Sequence, residues 1–317
     1  MSPQTPGIHH VTAIVGDPQP NADFNAGTLG LRMVKRTVNH DDTGTYHFYF
    51  GDAEGTPGTT ITFFPWGTDG REGEFGAGQT KTTAYLIPEG SVEYWADRLA
   101  SENVAYERDQ RFDEAVLRFS DPDGIELELA AADAPTDAVP WADSPVPEEH
   151  QLRGFYSATL AVSDVEPTAE ILTDVLGFEF EAERDGRRRY RSATGGPGSV
   201  VDLVETDRER GRMGVGTVHH VAFEAADVDE LEQWREAYAA AGLKPTQLID
   251  RTYFHSIYTR EPGGVLYEMA TPEPGFTLDE DLADLGSRLT LPERLEPERE
   301  RIEVGLPPFD GPPAGGD

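Results

Sequence analysis

The chain has no cysteine among its 317 residues. Disulfides, iron–sulfur clusters, thiolate metal sites and cysteine nucleophiles are thereby excluded, and any metal must rest on His, Asp or Glu. Lysine is nearly absent too: of 26 basic residues only Lys35, Lys81 and Lys244 are lysines, set against 59 acidic residues and a formal charge of -33. A chain this negative is a poor partner for nucleic acid, whose binding rests on cations neutralising phosphates. Its self-repulsion is relieved when molar salt shortens the Debye length to about 3 Å, so the composition points to the cytoplasm of a halophile. No run approaches the roughly 20 apolar residues of a membrane span. The opening MSPQTPGIHH also has neither a charged nor an apolar leader region, so a cytoplasmic protein without a membrane partner is expected. Intrinsic disorder does not follow from the charge, because 37% of residues are apolar, 15 of them Phe, and they recur with strand and helix periods.

What the chain does have is a duplicated dipeptide. His-His occurs at His9-His10 and again at His219-His220, and only eight histidines are present in all. Each pair opens an apolar, strand-like segment followed by a helical pattern.

The segments align as repeats. His9 to Asp17 matches Tyr156 to Asp164 without a gap, each continuing into a helical stretch that ends Leu29-Gly30-Leu31 or Leu176-Gly177-Phe178. Thr82 to Ala130 likewise matches Val218 to Ala270: a strand, a Trp-containing helix (Val92 to Ser101, Val228 to Ala241), then strands closing on a Pro-Gly turn and an acid. The fold class expected is α+β, four βαβββ modules in two tandem halves forming open, mixed-sheet barrels. The halves run over 1–132 and 152–290. Between them 133–151 reads as a Pro- and Asp-rich linker, and 291–317 as an acidic, frayed or disordered tail.

Adjacent strand residues point to opposite faces, so one histidine of each pair can enter a shared cavity. His219, Val221 and Phe223 share the face that helices cover, leaving His220, and by analogy His10, on the concave side. Glu268 interrupts the apolar strand Val265 to Ala270, and a buried carboxylate needs a partner. Counting six residues from the turn proline, Glu268 corresponds to Glu128, Phe63 and Leu203, while His10 corresponds to Ser157 and His220 roughly to Thr83. Only modules one and four together supply two histidines and a carboxylate, so one metal per chain is expected, with Glu128 left alone in a vacant second half-site. Two imidazoles and a carboxylate leave about three open positions, the arrangement of non-haem Fe(II) oxygenases; Mn(II) shares those ligand preferences.

These modules resemble the vicinal oxygen chelate superfamily of glyoxalase I, bleomycin-resistance proteins and extradiol dioxygenases. Gly7 to Thr12, Leu31 to Asn39, Tyr46 to Phe50, and Gly55 to Thr59 ahead of Phe64-Pro65-Trp66 look more closely like ring-cleaving dioxygenases acting on hydroquinones. The resemblance covers roughly residues 7–290. It implies Fe(II) on His10, His220 and Glu268, a small aromatic substrate and O2 as partners, and His9, Arg251 and Tyr258 beside the substrate. His9, or Tyr258 through water, would take the substrate proton and Arg251 would steady the anionic oxygen. His219 and His255 are further candidates for the pocket wall. Arg251 and Tyr258 lie on opposite strand faces, so a bend is required if both reach the metal. The rivals are a glyoxalase-like metal-dependent lyase or isomerase and a metal-free small-molecule binding protein. Association into a homo-oligomer is compatible with all three.

Overall fold

The computed structural model describes residues 3–196 and 198–313. Module one contributes strands β1 (Ile8–Val15), β2 (Arg32–Asn39), β3 (Asp42–Gly51) and β4 (Thr60–Pro65), and module two β5 (Gln79–Ile87), β6 (Tyr106–Arg111), β7 (Glu114–Ser120) and β8 (Glu126–Ala131). Module three contributes β9 (Phe155–Val162), β10 (Phe178–Arg184), β11 (Arg187–Ser192) and β12 (Val200–Glu205), and module four β13 (Thr217–Glu224), β14 (Ile249–Asp250), β15 (Phe254–Arg260) and β16 (Leu266–Pro274). The α+β class and four-module plan stand as expected.

The sheets do not follow the sequence halves. One eight-stranded sheet runs β14-β15-β16-β13-β1-β4-β3-β2, joining modules four and one; the other runs β10-β11-β12-β9-β5-β8-β7-β6, joining modules three and two. Both are mixed: β1 pairs parallel with β4 and antiparallel with β13 at the centre of the first. Central strands are buried on both faces, which is why β1 and β9 are buried along their whole lengths and read as near-continuous apolar runs.

Helices cover one face of each sheet. Val228–Ala240 starts at Asp227, whose side chain accepts the Glu230 N–H, and turns Leu231, Trp234 and Tyr238 inward at helical spacing. Val92–Ser101 buries Trp95, Ala96 and Leu99 in the same way. In modules one and three the helix is short and ends in a wide turn, after which Gly30 (φ +72°) and Gly177 (φ +79°) reverse the chain. That left-handed backbone explains the repeated Leu-Gly-hydrophobic step.

The tail departs from expectation. Residues 291–313 are ordered: Leu291, Leu295, Ile302 and Leu306 are buried in the main core, and Phe309 packs 4.6 Å from the Phe48 ring. Pro, Glu and Arg dominate the composition, but four aliphatic residues spaced along it suffice to dock the segment. Residues 314–317 lie outside the described residues. The linker is irregular yet tied down, Val139 donating its N–H to Asp52 and Gln151 bridging to Trp141. Among the described residues no helix is long and apolar enough to cross a membrane.

Candidate metal centre

Register places the three proposed ligands together. Across β1 and β13, Thr12 faces His220 and His10 faces Ala222, while on β16 Glu268 lies beside Ala222. Cross-strand neighbours project from the same side of a sheet, so His10, Thr12, His220 and Glu268 share the concave face. The Nε2 atoms of His220 and His10 lie 2.7 and 3.2 Å from Glu268 Oε2 and 3.4 Å from each other. All three side chains are buried.

Hydrogen bonds behind the ligands fix their tautomers. His9 Nε2 lies 3.1 Å from the Thr271 carbonyl, which can only accept, so this nitrogen donates and Nδ1 of a neutral His9 is an acceptor. His10 Nδ1, 2.8 Å away, must then carry a proton, which turns Nε2 toward Glu268 and His220. The second pair repeats the contact, His219 Nδ1 to His220 Nδ1 at 2.7 Å. Burial first, then the neighbouring imidazole, pushes His9 and His219 down to about 3, so both are neutral. His9 is thereby committed to His10 and does not line the cavity. The substrate-side role expected of it gives way to positioning.

The trio fits a cation. Burial would raise the Glu268 carboxyl, but His10 and His220 outweigh it and hold it well below the usual range, while burial pushes His220 down. A divalent metal requires an ionised carboxylate, the form of Glu268 that these surroundings favour. Despite the close approaches, neither Glu268 oxygen has a hydrogen-bond partner. Such orphaned buried acceptors are costly unless something else meets them.

A cavity of about 220 Å³ opens onto the two ligand histidines. Thr12, Phe64 and His219 form one side of it; Tyr49 and His47 come from β3; Phe254 and Tyr258 come from β15. The bend demanded by the sequence is present, for Thr252 adopts φ +74° and the Arg251 N–H closes a turn onto the Phe254 carbonyl. Arg251 therefore reaches the cavity with Tyr258, its guanidinium 5.2 Å over the phenol ring. Burial first, then Glu268, pushes the Tyr258 hydroxyl up, so it stays protonated. His255 is not among the lining residues: it alternates with Phe254 and Ser256, and its backbone N–H goes to Thr271 Oγ1. An open groove of about 740 Å³ beside Tyr106 and Arg118 is larger but holds none of the three ligands.

The family model for the glyoxalase/bleomycin resistance protein/dioxygenase superfamily matches residues 7–129 and 154–269. The chain belongs to this superfamily. It is 46% identical over 310 residues to the "Putative ring-cleaving dioxygenase MhqO" of Bacillus subtilis (strain 168), covering 98% of each chain. To the chlorohydroquinone/hydroquinone 1,2-dioxygenase of Sphingobium indicum it is 36% identical over 299 residues, covering 92% of each. The crystal structure of a "putative dioxygenase" from Bacillus subtilis superposes with a TM-score of 0.92 at 44% identity, covering 97% of this chain and 98% of that one. Glyoxalase I from Zea mays, at 16% identity and a TM-score of 0.62 over 84% of this chain and 92% of that one, shares the fold. Within the superfamily the chain groups with ring-cleaving dioxygenases and is an enzyme of that type.

Register corrects three of the correspondences between modules drawn by counting. Thr62, not Phe63, pairs with Thr12 and is the equivalent of Glu268; Phe63 faces the core. In the second sheet Thr159 pairs with both Thr82 and Asp202, so Thr82 replaces Thr83 and Asp202 replaces Leu203. The loops after the turn prolines of modules one and three are one residue out of step with the other two, and a one-residue slip exchanges the faces of a strand. Glu128 is consequently not alone. Asp202 takes the Arg189 guanidinium at 2.9 Å and Arg187 at 3.0 Å, and Glu128 takes Arg111 at 3.0 Å. Guanidinium groups stand where the first sheet gathers its donors.

Sequence reasoning assigned no role to His47, Tyr49, His40, Phe64 or Trp66, all of which line the cavity. The signal existed for the first two: in Tyr46-His47-Phe48-Tyr49-Phe50 the period-two alternation sets His47 and Tyr49 apart from three core aromatics. His47 bridges the Tyr49 hydroxyl and Thr62 Oγ1, each at 2.9 Å.

Proposed function

We propose that the protein is a non-haem Fe(II)-dependent ring-cleaving dioxygenase that opens a hydroquinone-like, dihydroxylated aromatic with O2, with His10, His220 and Glu268 as the metal ligands, one ion per chain, and Mn(II) as the alternative ion. The observation that carries it is the convergence of His10 Nε2, His220 Nε2 and a Glu268 carboxylate without hydrogen-bond partners beside a partly enclosed, aromatic-lined cavity. Thr62 at the position equivalent to Glu268 speaks against a four-ligand site of the isomerase kind, and three protein ligands leave room for two further molecules.

A metal there would supply the electron path by which O2 reacts with a ring. The protein supplies the rest. A cavity of roughly 150 Å³ already holds benzene, so the volume here suits one substituted ring and little more. Phe64 and Phe254 offer it apolar faces, while polar donors gather around its oxygens. The Tyr258 hydroxyl keeps its proton and donates. His219, whose Nδ1 is engaged by His220, presents Nε2–H from the wall if its tautomer mirrors that of His9. Arg251 adds a permanent charge, so negative charge developing on a ring oxygen is met by oriented donors in a site largely shut off from water. His9, anchored on Thr271, holds the His10 ring in place; such supporting bonds typically weigh 10–100-fold in metal affinity or activity.

The test is oxygen consumption by protein loaded anaerobically with Fe(II), with hydroquinone and catechol offered separately. Uptake with hydroquinone and a new ring-opened chromophore is expected. Turnover of a thiol–aldehyde adduct with Zn(II) or Ni(II) and no oxygen uptake would transfer the protein to the lyase or isomerase class, and binding of small molecules by protein that holds no metal would make it a binding protein.

A further inference from the structure

Asp41 stands at the tip of the hairpin joining β2 and β3, 76% exposed, with Oδ2 3.0 Å from Nη1 of Arg251, which is only 19% exposed. Arg251 is the only Arg or Lys, and Asp41 the only Asp or Glu, among the described residues lining the cavity. The Arg251 Nε is buried without a partner, and the guanidinium lies over Tyr258, which sits opposite Glu268 across β15 and β16. One edge of Arg251 is thus engaged from outside by Asp41 while the other is left for whatever enters.

An ion pair with so exposed a partner contributes little to folding. Its electrostatic effect at the entrance is larger. At the rim Asp41 offsets the attraction of Arg251 for an approaching anion, and in a chain of net charge -33 no surplus of cations restores it. A ring whose only polar groups are neutral hydroxyls passes this pair without penalty. A ring carrying an ionised carboxylate meets a like charge at the rim and a guanidinium whose outer edge is already paired. Placing a like charge against an unwanted ligand is a recognised route to selectivity.

We propose that Asp41 is a specificity-determining residue that, by holding Arg251, selects neutral hydroquinones over those bearing a carboxylate. The proposal rests on the aromatic-substrate reading above. It is tested by calorimetric binding of hydroquinone and of 2,5-dihydroxybenzoate to Mn(II)-loaded protein without oxygen, comparing wild type, Asp41→Asn and Asp41→Glu. The ratio of the two affinities should move fivefold or more toward the carboxylated ring in Asp41→Asn and keep its wild-type value in Asp41→Glu. A smaller movement, or the same movement in Asp41→Glu, overturns the proposal. Wild-type protein that binds neither probe and consumes no oxygen with hydroquinone overturns the aromatic reading itself, and the role of Asp41 with it. Hydroquinone cleavage alongside an unmoved ratio removes only the latter.

Discussion

Replacing Glu268 by Gln keeps the shape of the side chain and removes its charge, which separates a metal site from a structural ion pair. In the metal-free protein both Glu268 oxygens are buried without hydrogen-bond partners. Because His10 and His220 hold the carboxyl well below the usual range, its ionised form contributes to folding, and metal-free Glu268→Gln should be somewhat less stable than wild type. With metal the gap widens. An ion that binds only the folded state stabilises it by about 2.7 kcal/mol at a concentration of 100 Kd, and the variant, short of its only anionic ligand, should forfeit most of this. For a chain of this size 1 kcal/mol corresponds to about 2 °C in Tm, so the Tm deficit of the variant should grow by several degrees on adding metal. Thermal melts followed by circular dichroism, in EDTA and in redox-stable Mn(II), read both arms. A buried ion pair that has lost one partner would instead cost about 3–5 kcal/mol whether or not metal is present. Equal destabilisation of Glu268→Gln in both buffers would refute the metal assignment.

In the second sheet, Arg189→Met strands the buried Asp202 carboxylate, which keeps only one of its three guanidinium hydrogen bonds, that from Arg187; a loss of about 3 kcal/mol in unfolding free energy from denaturant melts is expected while metal stoichiometry stays at one per chain, and Arg189→Met with Asp202→Asn should recover part of it. Burial pushes the Asp121 carboxyl up to about 7, against backbone N–H groups that favour its ionised form. The folded state therefore binds a proton that the unfolded chain releases above about 4, and this group's contribution to stability falls as pH rises toward 7. Asp121→Asn should gain on wild type by about 2 kcal/mol more at pH 8 than at pH 5.5, measured by urea midpoints; an advantage independent of pH would contradict the raised value. With a net charge of -33, the midpoint should climb between 0.1 M and 2 M KCl as the Debye length contracts from about 10 Å to below 3 Å, whereas a flat response would remove the salt-requiring interpretation of the composition.

Much of the centre was legible because its signals are local. A His-His step inside an apolar strand places one imidazole on each face whatever surrounds it, and an acid in Val265 to Ala270 must find a positive partner. The duplicated His9-His10 and His219-His220, with Glu268, therefore named the candidate ligands that the fold brings together. The need for a bend between Arg251 and Tyr258 was likewise a matter of parity, and Thr252 supplies it. Failures came where parity had to be carried across loops of unequal length. Phe63, Leu203 and Thr83 each missed the cavity-side residue by one, and the error concealed Asp202 and the arginines that occupy the second half-site. His47 and Tyr49 were visible as an alternation but had no partner in the sequence to give them meaning.

By itself, then, the sequence determined the modules, the faces of their strands and the chemistry of the donors, since each follows from periodicity and side-chain type within a few residues. Tertiary structure alone decided that the tail packs on the core, that His9 is spoken for by Thr271, and that Asp41 meets Arg251 across more than two hundred positions of chain. Those outcomes depend on inter-strand register and on the approach of distant segments, and a one-residue slip in either would exchange the cavity for the core.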